Sequence, residues 1–294
     1  MSGVAPVTML LINVFLPLAI AATMIGLGLE LAIGDFRRVV QFPKAVGLGL
    51  FLKFLFLPLT GFLLCLLFRL SANLSIGLMI VAASPSSVMA ILYSHLFRGD
   101  VAFSVTLTAI DNVLSAIVIT VVVSLAIAYF GGETQTLGMQ LAETVKVFAL
   151  IVVPIIIGMA ARVRWPGLAG RMDRPIRLFS FLLLVTVVVF AIAQEHQRIL
   201  SALGSLGAVA VSFNVLNLVF AIFASRLLKL SREQSLSMAM TMSVLGTTIA
   251  ITVALSVLHN VETALPAAVY TISMYATAAV FGFGMKFRAR PTNA

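Results

Sequence analysis

Two oppositely charged residues lie deep within apolar stretches of the sequence. Lys53 is about ten residues into the apolar run 43–69, and Asp111 has a similar place in the run 101–130. If both runs are membrane helices, Lys53 lies about 15 Å along its helix at 1.5 Å per residue. A charge at such depth costs roughly 2.5–3.5 kcal/mol and points to function. The alternatives are snorkelling for Lys53 and a structural salt bridge or a protonated acid for Asp111.

A second candidate site is the interrupted apolar run 74–97. Pro85 lies at its centre and stops a straight helix there, because proline lacks the backbone donor and clashes with the preceding turn. In lipid, the freed backbone groups need protein or a water-filled cavity, so the break predicts a binding site between two half-helices. A simple proline kink is the alternative. The run 233–258 has a similar interruption around Gly246.

Hydroxyl groups near these breaks are the candidate substrate ligands. Half-helix N-termini carry spare N–H groups and partial positive charge, which favours a carboxylate or a sulfate. Serine and threonine also back-bond within membrane helices, and that is the alternative role. The candidates are Ser84, Ser86 and Ser87 at the first break and Thr241, Ser243, Thr247 and Thr248 at the second.

The composition is that of a polytopic membrane protein. Hydrophobic residues make up 61% of the 294 residues, charged residues 10%, and the mean hydropathy is +1.15. The start of the chain has no basic region or cleavage site, so we expect the first apolar run to be retained. No histidine spacing suits a metal, and the single Cys65 excludes a disulfide framework. We therefore expect no cofactor, no resident metal and no nucleic acid partner.

Apolar runs separated by short polar breaks predict nine transmembrane helices. Most of the 19 basic residues fall in the set of loops that includes the C-terminus, so the net charge of +9 is a topology signal. The positive-inside rule then places the C-terminus in the cytoplasm and the N-terminus outside. We expect a bacterial inner membrane protein. The predicted spans are 7–33, 43–69, 74–97, 101–130, 140–161, 176–194, 205–229, 233–258 and 263–286.

An internal repeat relates the two interrupted runs. The stretch 68–71 (FRLS) resembles the stretch 228–231 (LKLS), and each stands just before an interrupted run. The offset that carries Ser71 onto Ser231 also carries Pro85 onto Leu245, next to Gly246. Because one junction is predicted outside and the other inside, the copies are inverted. We predict one transporter domain with repeats at about 7–130 and 140–288, since inverted repeats with paired broken helices are typical of secondary transporters.

Several stretches resemble the bile acid:sodium symporter family, which includes bacterial transporters of other organic anions. They are MIGLGLELAIGDFRRVVQFPKAVGLGLFLKFLFLPLTGFLL (24–64), SIGLMIVAASP (75–85), RGDVAFSVTLTA (98–109), SFNVLNLVFA (212–221) and ALPAAVYTISMY (264–275). The resemblance implies panel and core domains related by inverted repeats. It also implies that the third and eighth spans are two crossing, unwound helices, and that the first helix of the ten found in many members is missing.

The chain departs from the family at the positions where relatives bind sodium. Ala90 and Ile91 replace a serine and an asparagine, and Lys53 replaces a glutamine. The Glu and Gln of the second crossing helix are also missing from 239–244. Thr108 and Asn112 still offer oxygens, and Asn214, near the repeat offset from Lys53, matches a family asparagine. Two side-chain ligands do not make a cage for a hard cation.

These observations predict an all-α secondary transporter that moves a small organic anion by alternating access. We expect the Lys53 ammonium to take the place of a sodium ion, to pair with Asp111 and to exchange a proton with it during transport, because burial disfavours both charges. One alternative keeps sodium coupling through Thr108, Asn112 and backbone carbonyls. Another is a receptor or structural membrane protein without transport. An intramembrane enzyme lacks a nucleophile–base pair, and a channel lacks a continuous polar face.

Overall fold

The computed structural model describes residues 42–131, parts of 153–167, and 206–287 except 257 and 259, besides the isolated positions 25, 175 and 204. The predicted spans 7–33 and 176–194, and most of 140–161, lie outside the described residues. The other six predicted spans are helical. The all-helical fold class is thus confirmed for the described residues, whereas nine spans and a panel domain stay predictions.

The described residues form eight main helices. Both interrupted runs are pairs of half-helices, as predicted, so the eight helices account for six predicted spans. The eight helices are α1 (Pro43–Leu67), α2 (Ala72–Ala83), α3 (Val88–Leu96), α4 (Val101–Phe130), α5 (Leu206–Leu227), α6 (Arg232–Ser243), α7 (Thr247–Ser256) and α8 (Val261–Phe287). Helices α1, α5 and α8 are long and apolar enough to cross a membrane as single rods, and α4, bent by 51°, makes a fourth when it is counted as one span.

Helix α1 widens into a π-helical turn at Leu52–Phe56, the segment that carries Lys53. Within this turn, the Leu57 N–H donates to the Leu52 carbonyl, five residues back. Pro58 follows directly, and a proline cannot donate to the carbonyl four residues before it and would collide with it in a regular α-helix. The wider turn accommodates this proline, and such π-bulges are frequent at functional sites.

The described helices recur in the same order at a nearly constant sequence offset, which is compatible with the internal repeat that stays a prediction. Helices α2 and α6 are related by the offset that carries Ser71 onto Ser231, and α1, α3 and α4 are followed at about the same offset by α5, α7 and α8. The turns before α2 and α6 also match, because Arg69 (φ 50°) and Lys229 (φ 56°) both adopt the left-handed conformation. A left-handed residue closing a helix is the usual C-terminal cap, here without the glycine that normally supplies it.

The two copies contact each other at opposite ends. At one end, the Glu262 carboxylate at the start of α8 accepts hydrogen bonds from Ser71 (3.0 Å) and Asn73 (2.7 Å) at the start of α2. At the other end, the Ser237 hydroxyl in α6 donates to the Asp100 carbonyl, and the Asp100 N–H donates to the Glu233 carbonyl. Each half-helix that precedes a break is therefore fixed to the start of the long helix of the other copy.

Close packing of α2 against α8 predicts a large effect at Gly77. A Cβ atom there would overlap the Thr263 carbonyl oxygen and approach the Pro266 ring at 3.0 Å. We expect Gly77→Ala to lower the free energy of unfolding by about 1–3 kcal/mol, the usual cost of overpacking. Gly47→Ala in α1 is the matched control, since in the described part of the chain no atom beyond its chain neighbours and its own helix backbone lies within 4 Å of the added methyl group. Thermal unfolding in detergent measures both, and equal melting temperatures would contradict the packing described.

Candidate functional site

The two breaks cross and are joined through backbone hydrogen bonds. The Ser87 N–H donates to the Val244 carbonyl (2.9 Å), and the Gly246 N–H donates to the Pro85 carbonyl (2.7 Å). Ser86 and Leu245 thus form an isolated antiparallel bridge between the copies. Gly246 suits this position, since a Cβ atom would lie 3.1 Å from the Pro85 oxygen. The two broken runs therefore meet at their breaks, as the prediction of two crossing, unwound helices requires, and backbone groups freed in one break bond to those of the other.

The predicted pair of Lys53 and Asp111 forms a buried ion pair. The Lys53 ammonium nitrogen lies 3.5 Å from Asp111 Oδ2, and both side chains are 0% exposed. The π-helical turn of α1 holds Lys53, and the middle of α4 holds Asp111. The ammonium makes no hydrogen bond among the described residues, so the ion pair is its main contact. Lys53 does not reach a surface, which argues against snorkelling.

Asp111 is also hydrogen-bonded to the first break. Its Oδ2 accepts from the Ser86 N–H (2.7 Å) and from the Ser86 hydroxyl (2.5 Å), and its Oδ1 accepts from the Ser115 hydroxyl (2.7 Å). The Ser86 hydroxyl also lies 3.0 Å from the Thr241 carbonyl of α6. A continuous line of contacts therefore runs from Lys53 through Asp111 and Ser86 to the other crossing helix. The charged pair is thus in direct hydrogen-bond contact with the crossing.

The two remaining coupling candidates have unused polar atoms on the helix that carries Asp111. Thr108 Oγ1 and Asn112 Oδ1, both on α4, are buried and have no hydrogen-bond partner in the described part of the chain. Their side chains are 3% and 4% exposed. Within the described segments, no group of three or more His, Cys, Asp or Glu residues is placed to hold a metal ion.

The residues predicted to bind substrate divide into local and cross-helix roles. Ser84 donates to the Ile80 carbonyl and Thr241 to the Ser237 carbonyl, which is back-bonding within their own helices. Ser87 caps α3 by accepting from the Met89 N–H at 3.2 Å. These three hydroxyls are therefore used in holding the half-helices.

The other candidates connect the second break to neighbouring helices. The Ser243 hydroxyl donates to Asn214 Oδ1 of α5 at 2.5 Å, and Thr271 of α8 donates to the Thr247 hydroxyl at 2.7 Å. Thr248 is half-buried in the first turn of α7. The Thr247–Thr271 contact lies near the place that the repeat assigns to the Ser86–Asp111 contact, but it carries no charge.

Sequence reasoning did not single out Ser115, Tyr270 or Thr271. Ser115 lies four residues after Asp111, so helical spacing places both on one face and was a usable signal. The Tyr270 hydroxyl donates to the Ser243 carbonyl (2.7 Å), where α6 ends, and the ring packs on Phe213. No local pattern indicates such a long-range contact, because tyrosine in a membrane helix has many possible partners.

The two buried serines of the first break allow a direct comparison. Ser86→Ala removes a hydroxyl that donates to a carboxylate, a type of bond worth about 1.5–3 kcal/mol. We expect it to lower the free energy of unfolding by that amount. Ser84→Ala, equally buried but bonded only to its own helix, is expected to change stability by less than about 1 kcal/mol. Thermal unfolding of the two variants tests this, and a Ser84→Ala loss as large as that of Ser86→Ala would contradict it.

Comparison with known families confirms the family resemblance found in the sequence. The profile described as the Sodium Bile acid symporter family matches residues 17–202, more than half of the chain. The chain belongs to this family. Its description is that of symporters and not of enzymes, in agreement with the prediction that the chain is not an enzyme.

Individual relatives are distant but extend over much of the chain. The "Probable sodium/metabolite cotransporter BASS2, chloroplastic" of Oryza sativa subsp. japonica is 23% identical over 270 residues, covering 92% of this chain and 63% of the relative. The "Uncharacterized sodium-dependent transporter YocS" of Bacillus subtilis is 22% identical, covering 74% and 67%. The "Sodium/bile acid cotransporter 4" of Mus musculus is 26% identical, covering 62% and 41%. The chain spans 44–63% of the lengths of three plant relatives.

Proposed function

We propose that this protein is a secondary transporter of a small organic anion that couples transport to a proton through Lys53 and Asp111. The observation that carries the proposal is the buried ion pair, whose aspartate is hydrogen-bonded to the crossing of the two broken helices. In a membrane interior, a bare charge is costly, so such a pair is expected to serve transport. The family membership and the names of the relatives support transport in general.

The proposed mechanism is alternating access around the crossing. In the paired state, Asp111 holds the Ser86 N–H and hydroxyl. When a proton moves from the Lys53 ammonium to the Asp111 carboxylate, both side chains become neutral and the carboxyl group loses acceptor strength toward Ser86. For one transported proton, Asp111 then releases the proton to one side of the membrane and Lys53 takes up a new proton from the other side, which restores the ion pair. Because Ser86 also contacts α6, this change biases the arrangement of both half-helices.

The anion is proposed to bind where α3 and α7 begin. Both half-helices start at the crossing, and their first-turn N–H groups and positive dipole ends favour an anion. Ser87 and Thr248 lie at these N-termini and are only partly buried. The basic loops support a cytoplasmic C-terminus in a bacterial inner membrane, with the surrounding lipid as the other partner.

Sodium coupling is the second candidate function. The names of the plant and Bacillus relatives include sodium, and Thr108 and Asn112, on the same helix as Asp111, each have a side-chain oxygen without a hydrogen-bond partner among the described residues. In this version, a sodium ion would bind those oxygens and the Asp111 carboxylate while Lys53 is displaced. A non-transporting receptor remains the candidate of a different class, and it gives no reason for a charge at Lys53.

Uptake into proteoliposomes tests the proposal. Labelled organic anions of different sizes are offered to the parent protein with no gradient, with a sodium gradient and with a pH gradient. We expect at least one anion to accumulate with the pH gradient and the sodium gradient to have no effect. Accumulation that follows sodium and ignores pH would establish the second candidate. No uptake of any anion by folded protein would favour the receptor.

A further inference from the structure

Helix α5 carries a row of small and polar residues along one buried face. The row consists of Ala210, Asn214, Asn217, Ala221 and Ser225, spaced by four, three, four and four residues, which places them on one side of a helix. All five are at most 3% exposed. In other respects α5 is an apolar membrane helix, with large hydrophobic residues such as Val219 and Phe223 on its exposed face.

Most of the polar atoms in this row have no partner. Asn214 Nδ2, both amide atoms of Asn217 and Ser225 Oγ make no hydrogen bond with the described residues. In the membrane interior, such groups cost several kcal/mol each unless protein or water satisfies them. The row therefore contains donors and acceptors that are available to a ligand.

The repeat shows that the fold does not require polarity here. The offset that carries Ser71 onto Ser231 makes Leu57 and Cys65 of α1 the counterparts of Asn217 and Ser225, and both of these counterparts are buried. Leucine thus fills the equivalent place in the first copy without a polar atom. The asparagine and serine are specific to the second copy and call for a role other than packing.

We propose that this polar row is a buried water-binding path that connects the second break with the protein surface at the α5–α6 turn. Water suits it because a water molecule both donates and accepts, and a buried water needs about two to four polar partners. The row from Asn214 to Ser225 is about 16 Å long at 1.5 Å per residue, longer than one small anion. Ala221, between Asn217 and Ser225, carries only a methyl group.

The path begins at the crossing. Asn214 Oδ1 accepts from Ser243, the last residue of α6 before the break. At the other end, the Ser225 carbonyl accepts from Leu230 in the turn that follows α5. Basic residues make this the predicted cytoplasmic side. The inference that protons reach the crossing along this path rests on the proposed function. The inference that the path holds water does not.

Cysteine labelling tests the hydration directly. The variants Asn217→Cys and Ser225→Cys are treated in the purified full chain with a small water-soluble thiol reagent, 2-aminoethyl methanethiosulfonate. The native Cys65 serves as the internal control, since it occupies the register of Ser225 in the first copy. The three positions are 1%, 0% and 2% exposed, so static exposure predicts no difference among them. Peptide mass spectrometry follows the modification of each thiol.

We expect positions 217 and 225 to react at least about ten-fold faster than Cys65, because reagent and thiolate both need water. Equal, slow reaction at all three positions would overturn the proposal. Ser225→Cys changes a single atom, so it decides the question even if the Asn217 variant does not fold. The labelling needs no transported substrate, so it succeeds or fails independently of the proposed transport.

The use of the path is tested with Asn217→Leu, which installs the residue found at the same register of α1. We expect this variant to remain folded and to bind the transported anion, but to take it up about ten-fold more slowly under a pH gradient. Unchanged proton-driven uptake would overturn the role as a proton route. Its matched control is Leu218→Ile, at the adjacent buried position of α5 outside the row.

Discussion

Asp111→Asn is expected to lower the free energy of unfolding by about 3–5 kcal/mol, because it leaves the buried Lys53 ammonium without a counter-charge. The amide is nearly the same size as the carboxylate. It still accepts from Ser86, and the Ser115 hydroxyl is able to rotate and accept from its NH₂ group. The loss therefore reports mainly the unpaired lysine. Thermal or denaturant unfolding in detergent measures it.

The double variant Lys53→Gln/Asp111→Asn provides the control. Removing one member of a buried ion pair leaves an uncompensated charge, which is the costly change, and the double variant leaves none. We expect the double variant to be more stable than Asp111→Asn alone. Lys53→Gln alone should cost less than Asp111→Asn, because Asp111 keeps its bonds from Ser86 and Ser115. Losses that simply add in the double variant would show that the pair is not coupled.

Lys53→Gln is expected to reduce proton-driven anion uptake by about 100-fold or more, although the protein folds. The substitution removes the only member of the pair that starts with a transferable proton, so the proposed transfer to Asp111 cannot take place. Uptake in proteoliposomes at several external pH values measures the effect. The remaining uptake should no longer depend on pH.

Lys44→Gln is the matched control for this prediction. Lys44 lies on the same helix but is exposed near its first residue, so its loss changes the net charge by the same amount without touching the site. We expect wild-type uptake and wild-type pH dependence from it. A Lys53→Gln protein that transports with unchanged pH dependence would disprove the role of Lys53 in coupling.

Much of the architecture around the site was predictable from local sequence rules. Several glycines and prolines lie inside helices, but Pro85 and Gly246 stand among small polar residues at the centres of apolar runs, and this context marked the two breaks before their crossing was visible. The repeat offset followed from matching turn sequences, and it holds for the helix starts and for the left-handed residues Arg69 and Lys229. The depth of Lys53 and Asp111 suggested a pair, and the two side chains are in contact.

The details of the site were less predictable because they depend on long-range contacts. Ser86 was expected to bind substrate, but in the structure it donates to Asp111 and contacts the Thr241 carbonyl. Ser84 and Thr241 back-bond within their own helices, and nothing in the sequence tells which serine of a break turns inward. The π-helical turn at Lys53 was also unforeseen, although Pro58 is its local cause.

The polar row of α5 shows a signal that sequence reasoning missed. Asn217 stands in an apolar span, where an amide is as unusual as a buried charge, but only Asn214 was singled out through its family resemblance. The comparison with Leu57 becomes meaningful only once the repeat is established in three dimensions. Comparing equivalent positions of two repeat copies therefore separates residues that packing requires from residues that one copy has for another reason.

Proton movement during anion uptake tests the central claim most directly. Proteoliposomes that contain a pH indicator are given a transported anion without any imposed gradient, and anion and proton fluxes are recorded together. We predict that anion uptake by the parent protein carries protons in a fixed ratio. We predict no coupled proton flux in the Lys53→Gln variant. The same ratio of protons to anions in both proteins would contradict the assignment of Lys53 and Asp111 as the coupling pair.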